Sequence, residues 1–227
     1  YILAGLPFIA PDYSSAWLLK DVQMEYLQEK FDKKGLMILY TAPWPGQGFY
    51  TKFPVNSVSD FSGKKLRIYS TATQQMGSML GFNATILPFA EIPQAFSTGL
   101  IEALFTSPQT GIDIQAWDNT KHFTYAGAIF SKNAVVVTKK AFNALSKGDQ
   151  SNMLAAAKKA ELRGWEMSAE TTKKQIDILK KNGMSSKNAP DEVISKMKSI
   201  GLEMMKNWRS KASPEANAVL DRYLSMR

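Results

Sequence analysis

The 227-residue chain contains no cysteine. That excludes disulfides, thiolate nucleophiles and cysteine-ligated zinc, and it is compatible with an oxidising compartment without requiring one. A single histidine, His122, is present. Ser-His-Asp catalysis or a histidine-held metal would depend on that one side chain. No Gly-x-Ser-x-Gly elbow, Gly-x-Gly-x-x-Gly turn or Walker loop occurs. The sequence therefore predicts no catalytic set, no metal site and no cofactor. It also lacks any run near the roughly 18 apolar residues of a membrane span, so the chain is not expected to span a membrane. There is no internal repeat and no low-complexity tract. The chain opens on Tyr1-Ile2-Leu3 without a Met or a charged-then-apolar leader. This reads as an interior start, ahead of which a signal peptide and a further domain could lie.

Apolar residues make up 44% of the chain and five are tryptophan, which fits a folded protein with a sizeable core. The net charge is +8, and residues 173–227 hold twelve Lys/Arg against six Asp/Glu, or +6 of it. Those charges alternate with Met, Ile, Leu and Trp at helical spacing, as on a solvated helix face. No clustered Arg and no nucleic-acid motif accompany them, so no nucleic-acid partner is predicted.

The stretch from Asp60 to Gln109 carries most of the information. A turn at Asp60-Phe61-Ser62-Gly63 runs into a strand, Lys64 to Tyr69. A helix comes next, then a strand over Ala84–Phe89, another helix, and a strand over Ala103–Ser107. Strands alternating with helices predict a parallel α/β sheet, which binds ligands beyond the carboxyl ends of its strands. Upstream, Asp12 or Ser14 can cap a helix whose apolar face runs from Trp17 to Phe31, stopped at Lys33-Lys34-Gly35. Leu36–Tyr40 and Ala134–Thr138 read as buried strands. Phe49–Val55 reads as a strand that ends at Pro54 or lies at an edge. A short helix is expected over Ala141–Leu145. Ser146 and Asp149 then open a helix running to about Lys181, roughly 50 Å long at 1.5 Å per residue. Its small-residue stripe, including Ala157, Ala160 and Gly164, predicts close approach of another element. So long a helix is expected to cross between two lobes. Two more helices are expected, over Pro190–Trp208 and Pro214–Met226.

Arg67 alternates with Leu66 and Ile68 and so faces the other side of the sheet. It is either an exposed strand arginine or a clamp whose planar fork grips a carboxylate through two oxygens. Thr106 and Ser107 precede Pro108, where hydroxyls and backbone N–H groups either cap a helix or meet an anion. Trp44, in the rigid loop Pro43-Trp44-Pro45-Gly46-Gln47-Gly48, either walls a pocket or anchors a surface loop. Phe89 is either core or pocket wall, and Trp117 reads as core. Glu91 begins a helix, where a carboxylate suits the dipole.

Asp60-Phe-Ser-Gly-Lys-Lys-Leu-Arg67 resembles the Asp-x-x-Gly-x-Lys-x-Arg segment of solute-binding proteins of tripartite ATP-independent periplasmic (TRAP) transporters. Pro88-Phe-Ala-Glu91, Gln94-Ala-Phe-Ser-Thr-Gly99 and Ile101-Glu-Ala103 are similar to the next segment of those proteins. So is Asn143-Ala-Leu-Ser146 through Gln150. The resemblance implies an α/β, type II-like two-lobed periplasmic binding protein fold closing around an organic acid, with a long helix crossing the lobes. The family's first strands and helices have no counterpart before Tyr1, so the first lobe is expected to be incomplete. On this footing lobe I comprises 1–44 plus 132–170, and lobe II comprises 45–131 plus 171–227.

By the same resemblance, Arg67 falls on the family's carboxylate-binding arginine, Phe89 on a pocket aromatic and Thr106 near a ligand-contacting position. Gln47 stands about where many members carry a second arginine. Glu102-Ala-Leu-Phe-Thr-Ser-Pro108 replaces a more polar family segment. The implied ligand is a monocarboxylate with an apolar or aromatic body, bound by Arg67, Thr106, Phe89, Trp44, Ser107 and Gln47. The implied role is periplasmic capture and delivery to a TRAP-type permease. The rival readings are an enzyme using Glu91 or His122, and a ligand-sensing domain, each on a similar two-lobed frame.

Overall fold

The computed structural model describes residues 2–227. Tyr1, with which the expected first lobe begins, lies outside the described residues. A 3-10 turn spans Ile2–Gly5. Helix α1 (Tyr13–Asp32) begins at Asp12, whose carboxylate accepts the Ser15 backbone N–H at 2.7 Å. It ends just before Gly35, which takes the left-handed φ of 69° that glycine accommodates without a Cβ clash. Its buried face is set by Ala16, Leu19, Val22 and Leu27, with Lys20 and Gln23 among them.

Strand β1 (Leu36–Pro43) follows α1, and β2 (Gly48–Thr51) follows a Pro/Gly loop. Then come β3 (Lys65–Ile68), α2 (Thr71–Met79), β4 (Asn83–Ile86), α3 (Ile92–Ser97), β5 (Ala103–Thr106) and α4 (Pro108–Asp113). The second half holds β6 (His122–Tyr125), β7 (Lys132–Thr138), α5 (Lys139–Asn143), α6 (Lys147–Lys181), β8 (Ser185–Asn188), α7 (Asp191–Arg209) and α8 (Pro214–Met226).

Six strands form one sheet in the order β4-β3-β5-β2-β6-β8. The expected trio β4, β3 and β5 is parallel, while β2 runs antiparallel between β5 and β6. Thus β2 is a central strand that ends before Pro54. Strand β8, Ser185-Ser-Lys-Asn188, was not expected, because a polar run carries no apolar alternation. It pairs parallel to β6 at the sheet edge, where backbone bonding alone suffices.

Alternation along the strands sorts the cores. Phe49, Leu66, Ile68, Ala103 and Phe105 face one side with α2, α7 and α8, while Tyr50, Leu104 and Phe123 face the other with α3 and the end of α6. On the first side Phe49, Phe61, Phe82 and Phe105 interlock at centroid spacings of 4.5–5.8 Å. Each such ring, fully buried, contributes about 1.5–3 kcal/mol. Residues 3–10 pack into the same cluster, and Tyr223 on α8 donates to the Ile9 carbonyl at 2.8 Å.

Strands β1 and β7 form a separate antiparallel pair. Both were expected to be buried. Instead they are largely half-exposed, with Val136 at 41%, because among the described residues no further strand flanks them. Helix α6 begins at Ser146, whose hydroxyl accepts the Asp149 N–H, and its 35 residues end at Gly183 with φ of 86°. Glu161 ties its first half to β1 by accepting the Thr41 N–H and hydroxyl at 2.9 and 2.7 Å. Leu179 near its end lies in the second core of the large sheet. The small-residue stripe does not act as expected. Only Ala157 of it is buried, and a Cβ added at Gly164 would meet nothing within 4 Å.

Candidate functional site

A cavity of about 640 Å³ opens beyond the carboxyl ends of β3, β4 and β5, the position expected of an α/β sheet and a size suited to a small molecule. Tyr69, Ser70 and Thr71 reach it from the end of β3, Phe89 from beyond β4, and Thr106 and Ser107 from the end of β5. Trp44 and Gln47 come from the loop after β1, and Ser131, Lys132 and Asn133 from the start of β7. All six residues singled out in the sequence, Arg67, Thr106, Phe89, Trp44, Ser107 and Gln47, line this one space.

Arg67 is 4% exposed, so it is not a solvated strand arginine. Its Nε and Nη2 donate together to the Leu87 carbonyl at 3.0 and 2.9 Å. That carbonyl is positioned by the β3–β4 pairing, since the Leu87 N–H itself donates to Ile68. No carboxylate pairs with Arg67 among the described residues. Of five guanidinium donors, the two spent on Leu87 leave the Nη1–Nη2 edge open, and that edge can hold both oxygens of a carboxylate. Burial lowers the Arg67 pKa, yet arginine stays charged. The result is a buried cation held in one orientation, with one edge facing the cavity.

Gln47 is 2% exposed and is engaged at both ends of its amide. Tyr69 donates its hydroxyl to Gln47 Oε1 at 2.8 Å, and Gln47 Nε2 donates to Ser131 Oγ at 2.9 Å. Desolvation raises the Tyr69 pKa to about 12, so the phenol remains a neutral donor. Ser107 caps α4, its hydroxyl accepting the Thr110 N–H at 3.1 Å, while Tyr50 donates to its carbonyl at 3.2 Å. Capping therefore occupies the Ser107 oxygen, and Thr106 beside it is 5% exposed. Trp44 is half-buried, its backbone N–H donating to the Ser131 carbonyl at 2.8 Å, and Phe89 is 52% exposed at the cavity rim. Trp117 packs partly buried against the second core.

Sequence reasoning missed Tyr69, Lys132 and Asp113 at this cavity. Tyr69 had a signal, since it stands two residues beyond Arg67 and so shares its side of the strand. Lys132 had none. Glu91 and His122 do not line the cavity: Glu91 is exposed at a helix start, and His122 is half-buried on β6 opposite Thr51. No group of three or more His, Cys, Asp or Glu able to hold a metal occurs among the described residues. No helix among them is long and apolar enough to cross a membrane.

Residues 2–211 match the profile of the bacterial extracellular solute-binding proteins of family 7, DctP. The fold is similar to that of DctP7, a Bordetella pertussis extracytoplasmic solute receptor binding pyroglutamic acid. The two share 37% identity and a TM-score of 0.93, over 96% of this chain and 72% of that one. It is also similar to a marine metagenome TRAP solute-binding protein specific for pyroglutamate, solved with the co-purified acid. There the identity is 31% and the TM-score 0.92, over 98% of this chain and 74% of that one. A curated solute-binding protein of Chromohalobacter salexigens is 24% identical over 181 residues, a match covering 76% of this chain and 53% of the relative.

Proposed function

This chain belongs to the family-7 (DctP) bacterial extracellular solute-binding proteins, and from that premise we propose that it captures a small carboxylic acid in the periplasm and delivers it to a TRAP-type permease. The observation that carries the reading is Arg67, a buried guanidinium with no acidic partner and an open edge at a cavity. Phe89, Trp44 and Ala72 make much of the remaining wall apolar, which favours a monocarboxylate with a compact apolar body. Pyroglutamate, which the two solved relatives bind, is a monocarboxylate on a compact five-membered ring, and that ring also carries a polar amide.

We propose that Arg67 binds the carboxylate directly, with Thr106 and Ser107 lining the same end and Trp44 and Phe89 covering the ring. Gln47 serves to orient Tyr69 and Ser131. Two lobes, 1–44 plus 132–170 and 45–131 plus 171–227, would close over the ligand and exclude water, which strengthens the ion pair. Two sheets that share no strand, both contacted by α6, support a division into two lobes, although residues 3–10 pack into the core of the larger sheet. Isothermal titration calorimetry with pyroglutamate tests the reading. Saturable binding to the wild type that disappears in Arg67→Ala is expected. Unchanged affinity in a folded Arg67→Ala variant would overturn it.

A further inference from the structure

Lys132 opens β7 and is 6% exposed, yet no ion pair or hydrogen bond holds its ammonium among the described residues. The space that Lys132 lines is the cavity that holds Arg67. No acid pairs with Lys132 among the described residues. Glu161 takes Thr41 on one oxygen and Lys20 on the other, and Lys20 is held as well by Asp21 at 2.6 Å. Asp113, the other charged residue on the cavity wall, accepts from Gln109 at 2.6 Å. A buried ammonium left without an acceptor is costly, and a ligand oxygen would relieve that cost.

We propose that Lys132 is a specificity-determining contact, donating to a second oxygen acceptor on the ligand while Arg67 holds the carboxylate. This inference rests on the carboxylate reading of the same cavity. The ligand class it selects is a small acid with a carbonyl or carboxyl oxygen on its body, such as a cyclic amide acid, over a plain hydrocarbon acid of equal size. Burial, with Lys20 nearby, lowers the Lys132 pKa to about 8, as expected of a cation lacking its partner.

Pyroglutamate and cyclopentanecarboxylate separate the possibilities, since both carry a carboxylate on a five-membered ring and only the first has the amide oxygen. Calorimetry on the wild type should favour pyroglutamate. Lys132→Met should shrink that preference by about tenfold or more, with the smaller loss falling on cyclopentanecarboxylate. Lys132→Gln, which keeps an N–H donor, should retain part of the preference, and it decides the matter if the Met variant does not fold. A preference unchanged in a folded variant, or a lower melting temperature with no change in preference, overturns the inference and assigns Lys132 a structural role. Equal wild-type affinities overturn it too, while leaving the carboxylate reading standing. Binding of neither acid removes both.

Discussion

In the six-stranded sheet, β2, β3 and β5 are paired on both sides, and β2 and β5 are covered on both faces. Strands β1 and β7 have only each other, and their apolar side chains stay largely half-exposed. The same cavity receives one cation from each sheet, Arg67 from the larger and Lys132 from the smaller. Arg67 sits on a central strand beside a neighbour whose carbonyl pins two of its donors. Lys132 begins a strand of a two-stranded ladder and has no such anchor. A well-supported strand can hold a charged group in one orientation before the ligand arrives. A less supported one leaves its charged group in need of a partner, which on the proposed reading is the ligand.

Removing either cation tests that contrast. Arg67→Ala should lower carboxylate affinity by more than about a hundredfold, roughly 3 kcal/mol or greater, because it deletes a desolvated charge partner. The melting temperature of the ligand-free protein should move far less. Calorimetry and circular dichroism check both halves, and a variant that binds normally breaks the comparison at once.

Lys132→Met should act in the opposite sense on stability. The folded pKa of about 8 lies below the ordinary lysine value, so the ammonium is disfavoured in the fold. Its penalty is fully present below pH 8 and fades as pH climbs from about 8 towards about 10.4, where the unfolded chain also deprotonates. The ligand-free Met variant should exceed the wild type by up to about 3 kcal/mol at pH 7, and the gap should narrow across that window. Urea titrations at pH 7 and pH 10 measure it; a gap that widens with pH would remove Lys132 as an unpartnered cation.

Gly201→Ala probes the well-supported side. A Cβ there would strike the Pro7 carbonyl, where α7 meets the first residues of the chain. Overpacking of this kind costs about 1–3 kcal/mol, read as a lower urea midpoint with an unchanged slope. Tyr69→Phe should have the smallest effect. It deletes the hydroxyl that donates to Gln47 and should cost about 1 kcal/mol in stability, or a few-fold in affinity through looser placement of Gln47 and Ser131. An unchanged melting temperature and affinity would show that this network does not organise the cavity wall.

Much of the large sheet was legible because its physics is local. Period-two alternation set Arg67 against Leu66 and Ile68, and Pro108 marked where β5 gives way to a helix. Asp12 and Gly35 announced the ends of α1, and Ser146 announced the start of α6. The errors arose where neighbours decide. Leu36–Tyr40 and Ala134–Thr138 have the composition of buried strands, but burial depends on what flanks them. Ser185–Asn188 lacks every strand signal and is a strand because the β6 edge was available to it. At Ser107 the residue type admitted two roles, and the geometry gives its hydroxyl to the helix cap.

The order of residues determined, unaided, that a parallel α/β unit forms around β3, β4 and β5, that a long helix comes after it, and that cysteine chemistry is absent. These depend on repeat, capping and composition, which act between residues close along the chain. Packing alone decided that Trp44, Arg67, Thr106 and Lys132 border one space, that Arg67 is pinned on one edge, and that Lys132 has no partner. Those groups are dozens of positions apart, and only the stacking of helices on the sheet and the placement of β7 bring their charges and hydroxyls together.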